Sequence, residues 1–151
     1  MNRKIVDYDG CFVCGRSNPC GLKLGFYYDE VHHKAWTEFS PGREFEGYRE
    51  LLHGGIISSV LDEVMIKAIL HRGEVVVTSR LTVEFKNPAQ IGESLRAEGW
   101  VTGERGRIFL TEGRLVSLVS QQEKVIAISS GVYVRVKEEM AKKLAGSLNL
   151  K

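Results

Sequence analysis

The sequence predicts an α+β fold in which a strongly curved antiparallel β-sheet wraps one long central helix. Three observations carry this expectation. Residues 56–71 (IISSVLDEVMIKAILH) place apolar side chains at Ile57, Leu61, Val64, Met65, Ala68 and Ile69, the three-to-four spacing of a helix with a wide buried face. Downstream, successive segments are β-branched or alternate apolar with polar residues, the pattern of long strands joined by turns. No second long apolar helix is available to cover them, so the economical solution is a sheet that bends around the one helix.

Taken in order, residues 10–21 (GCFVCGRSNPCG) are rich in Gly, Asn, Pro and Ser and read as an ordered loop. Leu22, Leu24 and Phe26 alternate with Lys23 and Gly25, giving a first strand that runs to about Tyr28. Asp29-Glu30 turns the chain into a second strand at 34–39, with Ala35, Thr37 and Phe39 on one face. Ser40-Pro41-Gly42 breaks this hairpin, and residues 43–52 form an irregular, charged connector. The helix that follows would be roughly 25 Å long at 1.5 Å per residue, with Gly73 as its stop signal. Strands are expected at 75–85, 95–103, 107–119 and 125–136, separated by Asn87-Pro88-Ala89, Gly103 and Gln121-Gln122-Glu123. The order is therefore β-β-α-β-β-β-β. The tail at 137–151 contains EEMAKKLAGSL and reads as a short polar helix.

At 151 residues and 43% hydrophobic content the chain suits one domain, spanning 1–151, with 1–21 as a cysteine-containing loop segment. A net charge of +2 gives no electrostatic footprint for nucleic acid. Asp62, Glu63 and Lys67 interrupt the longest apolar run, so no membrane span is expected. The N-terminus, MNRKIVDYDG, lacks the apolar core of a signal peptide, and a cytoplasmic location is the default expectation.

The three cysteines, Cys11, Cys14 and Cys20, lie within ten residues of one another and cannot form a closed intrachain disulfide set. A structural zinc site wants four ligands, and no second Cys pair exists; His32 or His33 would have to join the three cysteines. The segment is read instead as reduced thiols in a turn-rich loop, with no metal. A redox role for the C-x-x-C is weaker again, because no helix pattern follows it to lower a thiol pKa.

Chemistry concentrates at the start of the helix. Gly54 and Gly55 leave backbone N–H groups unshielded at the end of the helix that favours negative charge. Two turns further on sit Asp62 and Glu63, and an acid there either lies on the exposed seam or has a task. A tight turn is the plain structural role for the two glycines, a solvated surface acid that for Asp62, an N-terminal cap that for His53, and strand filling that for Thr78.

His53-Gly54-Gly55 with Asp62 nine residues after the histidine, the stretch TSRLTVEFKNPAQIGE at 78–93, and CFVCGRSNPCGLKL at 11–24 together resemble the hotdog-fold acyl-CoA thioesterases, in their PaaI-like branch. The resemblance covers most of residues 11–136. It implies a hotdog fold and hydrolysis of a small-molecule acyl-CoA thioester to free acid and coenzyme A. The coenzyme is part of the substrate, and no other cofactor is implied. By this resemblance the Gly54 N–H is the main oxyanion donor, supported by Gly55. Asp62 activates water as general base or attacks the carbonyl directly. His53 anchors the loop and orients the carbonyl, and Thr78 holds the water.

In this fold the helices of two protomers meet, so Asp62 faces its target across a homodimer interface, in a dimer or a dimer of dimers. The acyl pocket would lie between helix and sheet, beside Ile57, Leu61 and Phe85. Arg80, with Lys86, Arg105 and Arg107, is a candidate for the coenzyme's phosphates. The sequence departs from the branch at Gly47, where an Asn or Gln usually stands, with Glu46 adjacent as a substitute. That departure keeps a non-catalytic acyl-CoA-binding or sensing module as the alternative. A hotdog dehydratase is disfavoured because its paired His and acid motif is not found around His53, and a DNA-binding regulator because no helix-turn-helix precedes the domain.

Overall fold

The computed structural model describes residues 2–119 and 121–148. Seven strands form one sheet: β1 (Asn2–Lys4), β2 (Tyr27–Asp29), β3 (Lys34–Phe39), β4 (Val76–Phe85), β5 (Leu95–Arg105), β6 (Ile108–Ser117) and β7 (Lys124–Arg135). Their order is β1-β2-β3-β5-β6-β7-β4, and every neighbouring pair is antiparallel. The long helix α1 (Gly54–Leu70) lies on one face, and a short helix α2 (Glu138–Ala145) follows the sheet with none of its residues buried.

Helix α1 touches β3, β4, β5, β6 and β7. Five strands at about 4.8 Å spacing span about 19 Å, nearly twice the roughly 10 Å width of a helix. One helix can reach all five only if the sheet curves around it. This is the hotdog architecture expected from the sequence.

The periodicities explain which face goes inside. Val60, Leu61, Val64, Met65 and Ile69 of α1 have no exposed surface, and they meet Leu95, Ala97, Phe109, Leu115 and Tyr133 from the sheet. Gly99 marks the closest approach of the two layers. A Cβ there would lie 2.9 Å from the backbone of Val64 and Met65, so only glycine lets α1 seat this deeply on β5.

Two differences from the sequence reading have physical causes. The strand expected at 22–28 shrinks to Tyr27–Asp29, because the Leu22 and Leu24 amides pair instead with the Phe12 and Val13 carbonyls of the cysteine loop, at 2.9 Å each. A further short strand, β1, appears inside the segment read as loop. Its alternation is too brief to register, and its pairing with β2 is a long-range event.

Strand β4 closes one side of the sheet, and no strand lies beyond it among the described residues. It runs for ten residues and carries exposed Val77 and Phe85. A long, partly apolar edge of this kind is a template for pairing with another strand.

Candidate active site

His53 is the N-cap of α1, and its Nδ1 accepts a hydrogen bond of 2.8 Å from the Gly55 N–H. The Ile56 and Ile57 amides bond the His53 carbonyl. Three of the first four helical N–H groups are thereby used, and among the described residues the Gly54 N–H has no partner. The structure thus separates the two glycines: the Gly55 amide is committed to the histidine, which removes it from the expected donor pair, whereas the Gly54 amide is available at the positive end of the helix.

A cavity of about 460 Å³ opens beside this amide, lined by Glu46, Gly47, Tyr48, Leu51, Leu52, His53, Gly54 and Pro88. Phe85, exposed at the end of β4, reaches within 3.4 Å of where a Gly54 Cβ would stand. Ile57 and Leu61 point elsewhere. They are 3% and 0% exposed, closed inside the core of the protomer, and offer a substrate almost no surface. The correction follows from their spacing: positions shared with Val64 and Met65 on one helix face belong to the sheet contact, not to the helix's N-terminal mouth.

Gly47 also finds its reason here. A Cβ at that position would lie 3.1 Å from His53 Cα and 3.3 Å from its ring, so the connector packs directly onto the histidine. The Gly47 N–H bonds Leu51 O, and the adjacent Glu46 carboxylate accepts from the Glu50 amide. Glu46 is therefore engaged in its own turn while still lining the cavity.

Asp62 sits two turns along α1, half-buried against the sheet. Thr78 Oγ1 donates to it at 3.0 Å (Oδ1) and 3.2 Å (Oδ2), and Tyr133 OH donates to Oδ1 at 2.9 Å. Thr78 and Tyr133 are cross-strand partners on β4 and β7, so one rung of the sheet holds the carboxylate with two hydroxyls. The register shifts just after Thr78, at Ser79, a bulge of the kind that re-aims side chains. Burial, and then the Asp62 charge, push the Tyr133 phenol far above its usual range, so it stays protonated and donating. A carboxylate with two donors on it retains lone pairs for a water.

Tyr133 is the residue that sequence reasoning missed. It lies within a β-branched run whose alternation explains it as core, and only its pairing with Thr78 reveals its second task.

Of the candidate cations, Arg107 donates to the Arg135 carbonyl and Lys86 pairs with Glu84 at 3.1 Å. Arg80 is exposed on β4, next to the bulge, with no ion pair among the described residues.

Glu63 turns the opposite way from Asp62. Its carboxylate lies 3.8 Å from Cys11 Sγ and 3.5 Å from the buried Lys67 ammonium. Burial raises the Glu63 carboxyl to about 7. A hydrogen bond from the Cys14 thiol leads the effects that lower Cys11 to about 5, and the same bond raises Cys14. Turn amides and a second thiol, not a following helix, are what stabilise the Cys11 sulfur here. Cys20 is exposed, and His32 is bound to Asp29, so neither joins this group.

A family model described as the thioesterase superfamily matches residues 50–123, the span from the connector through α1 to the β6–β7 turn. The curated acyl-coenzyme A thioesterase THEM4 of Xenopus laevis is 27% identical over 97 residues, covering 64% of this chain and 44% of its own length. The crystal structure of RHA08564, a thioesterase superfamily protein, superposes with a TM-score of 0.76 at 20% identity, over 83% of this chain and 60% of that one. The PaaI protein of E. coli, from the phenylacetic acid degradation operon, gives 0.63 at 23% identity, over 70% and 74%. The two structures establish the fold. Residues 50–123 are similar to the thioesterase superfamily, and PaaI is among the proteins that share the chain's hotdog fold. The chain spans less than half the length of the curated relative it matches.

Among the described residues no helix is long and apolar enough to cross a membrane.

Proposed function

We propose that this protein hydrolyses a small-molecule acyl-CoA thioester, with Asp62 delivering water and the Gly54 amide stabilising the oxyanion. The observation that carries the reading is the Asp62 carboxylate, clamped by Thr78 and Tyr133 yet half-exposed, on the same helix as an unpartnered N-terminal amide. The similarity to this family and the name of the curated relative support the thioester and its coenzyme.

The chemistry follows from these parts. A thioester carbonyl oxygen seated on the Gly54 N–H gains negative charge as water attacks, and both the amide and the helix dipole favour that charge. Asp62 takes the proton of the attacking water, and Thr78 steadies that water and the carboxylate together. The tetrahedral intermediate collapses by breaking the C–S bond. Coenzyme A leaves as its thiol, its sulfur taking back the proton that Asp62 holds, and the acyl group leaves as the carboxylic acid. Direct attack by Asp62 would give an anhydride and then the same products.

Gly54 and Asp62 of one chain lie about 12 Å apart along the helix, too far to serve one carbonyl. The site therefore combines Gly54 of one protomer with Asp62 of another. Strand β4 offers the means. Antiparallel pairing of two β4 edges about Leu81 and Thr82 would set Thr78 of each chain opposite Phe85 of its partner, bringing the Asp62 end beside the Gly54 end. The assembly is a homodimer or a dimer of dimers, with Arg80 at its rim for the coenzyme's phosphates.

Thiol release from a panel of short, long and aromatic acyl-CoAs tests the reading, with Asp62→Asn run beside the wild type. Turnover on one class is expected, falling by about 10²–10⁴-fold in the variant with fold and assembly unchanged. Wild-type activity in Asp62→Asn would contradict the mechanism. Acyl-CoA binding without any turnover would favour the sensing module, which the Gly47 departure keeps as the second reading.

A further inference from the structure

We propose that Cys11, Cys14 and Glu63 form a binding site for a thiophilic divalent cation, zinc first, that fastens the N-terminal segment to the middle of α1. The proposal is independent of the thioesterase reading.

The ligand atoms are already assembled. One oxygen of Glu63 and the two cysteine sulfurs lie within 4.8 Å of one another, and Cys11 Sγ is 3.8 Å from Glu63 Oε2. Zinc bonds of about 2.3 Å to sulfur and 2.0 Å to oxygen put tetrahedral ligand atoms about 3.5–3.8 Å apart. Closing the set around an ion needs only small rotations of the side chains. Cys14 is 2% exposed while Cys11 is half-buried, so the fourth position opens on the Cys11 side, where water completes the sphere.

A second observation points to a charged sulfur at this place. The Val13 and Cys14 amides aim at Cys11 Sγ at 3.3 and 3.4 Å, and the Gly15 amide closes the turn on the Cys11 carbonyl at 2.9 Å. N–H dipoles converging on sulfur stabilise a thiolate and are the outer-shell support that metal-bound sulfur requires.

Charge balance gives a third argument. Lys67 is 2% exposed, pairs with Glu63 and donates to the Val6 carbonyl. Two thiolates and a carboxylate would match a divalent cation plus the Lys67 ammonium, leaving a buried cluster with no net charge. The sulfur-rich donor set selects zinc, cobalt(II) or iron(II) over magnesium or calcium. Its place in the chain selects the role. Glu63 follows Asp62, and Val13, Cys14 and Ile5 are buried in the core, so an ion here would staple the cysteine loop to the helix that carries the candidate acid.

The test uses the full chain, reduced, stripped with chelator and titrated with cobalt(II), then zinc. The proposal predicts one cobalt per chain with sulfur-to-cobalt charge-transfer absorption, displaced by zinc, and a melting temperature raised by zinc. Cys11→Ser and the near-isosteric Glu63→Gln each weaken binding beyond the roughly 10–100-fold cost of losing an outer-shell partner, and both lose the thermal shift. Cys20→Ser keeps both signals. Absence of the charge-transfer band would overturn the proposal, as would affinity unchanged in Cys11→Ser and Glu63→Gln, or affinity lost in Cys20→Ser.

Discussion

Tyr133 illustrates how a core residue takes on a second task. Its ring is fully enclosed, yet its hydroxyl reaches both the carboxylate and the backbone carbonyl of Asp62. Tyr133→Phe keeps the ring and deletes that donor, and Thr78→Val deletes the other. A hydrogen bond to a charged group contributes about 1.5–3 kcal/mol. Each variant should therefore lower kcat/KM by roughly tenfold or more with the fold intact, as steady-state thiol release would measure.

Gly54 permits an even cleaner separation of backbone from side chain. It is the first helical residue, and His53 before it holds φ −63° and ψ 132°, the extended geometry that precedes proline without strain. Gly54→Pro should keep the helix and remove only the amide, lowering kcat by about 10²–10³-fold. Gly54→Ala, which retains the N–H, should stay within a few-fold of wild type. Circular dichroism and turnover measured together would reveal whether the amide or merely the turn matters.

At the scale of elements, the sequence was most legible where periodicity was long. The helix pattern at 56–71 and the alternation through Leu95, Ala97 and Gly99 reappear as α1 and β5 with the expected faces inward. Local pattern could not reveal partners distant in sequence. Cys11 meets Glu63 across 52 residues, Tyr133 meets Asp62 across 71, and the Leu22 and Leu24 amides are claimed by the cysteine loop. Helical spacing likewise could not distinguish an acyl lining from core packing, which is why Ile57 and Leu61 proved buried while Phe85 is exposed beside Gly54.

Gly99 links packing to the site. Gly99→Ala would press a methyl group on the backbone of Val64 and Met65, just after Asp62. It should cost about 1–3 kcal/mol as overpacking, read as a lower urea midpoint, and reduce turnover by displacing the acid. Gly103→Ala on the same strand, where the nearest atom is 3.7 Å away, should show neither effect.

At the scale of the whole molecule, the account depends on two copies sharing one site. The Gly54 amide and the Asp62 carboxylate stand on one helix but two turns apart, and the exposed β4 edge carries Thr78 at one end and Phe85 at the other. The measurement that tests this most directly is complementation between Asp62→Asn and Gly54→Pro, each nearly inactive alone. In a mixed dimer one site would join the intact Gly54 of the first chain to the intact Asp62 of the second. Random exchange makes half the dimers mixed, each with one working site of two, so turnover should recover to about one quarter of wild type. A mixture that exchanges subunits, seen by mass, yet gains no activity would contradict the shared site and place the reaction elsewhere in the molecule.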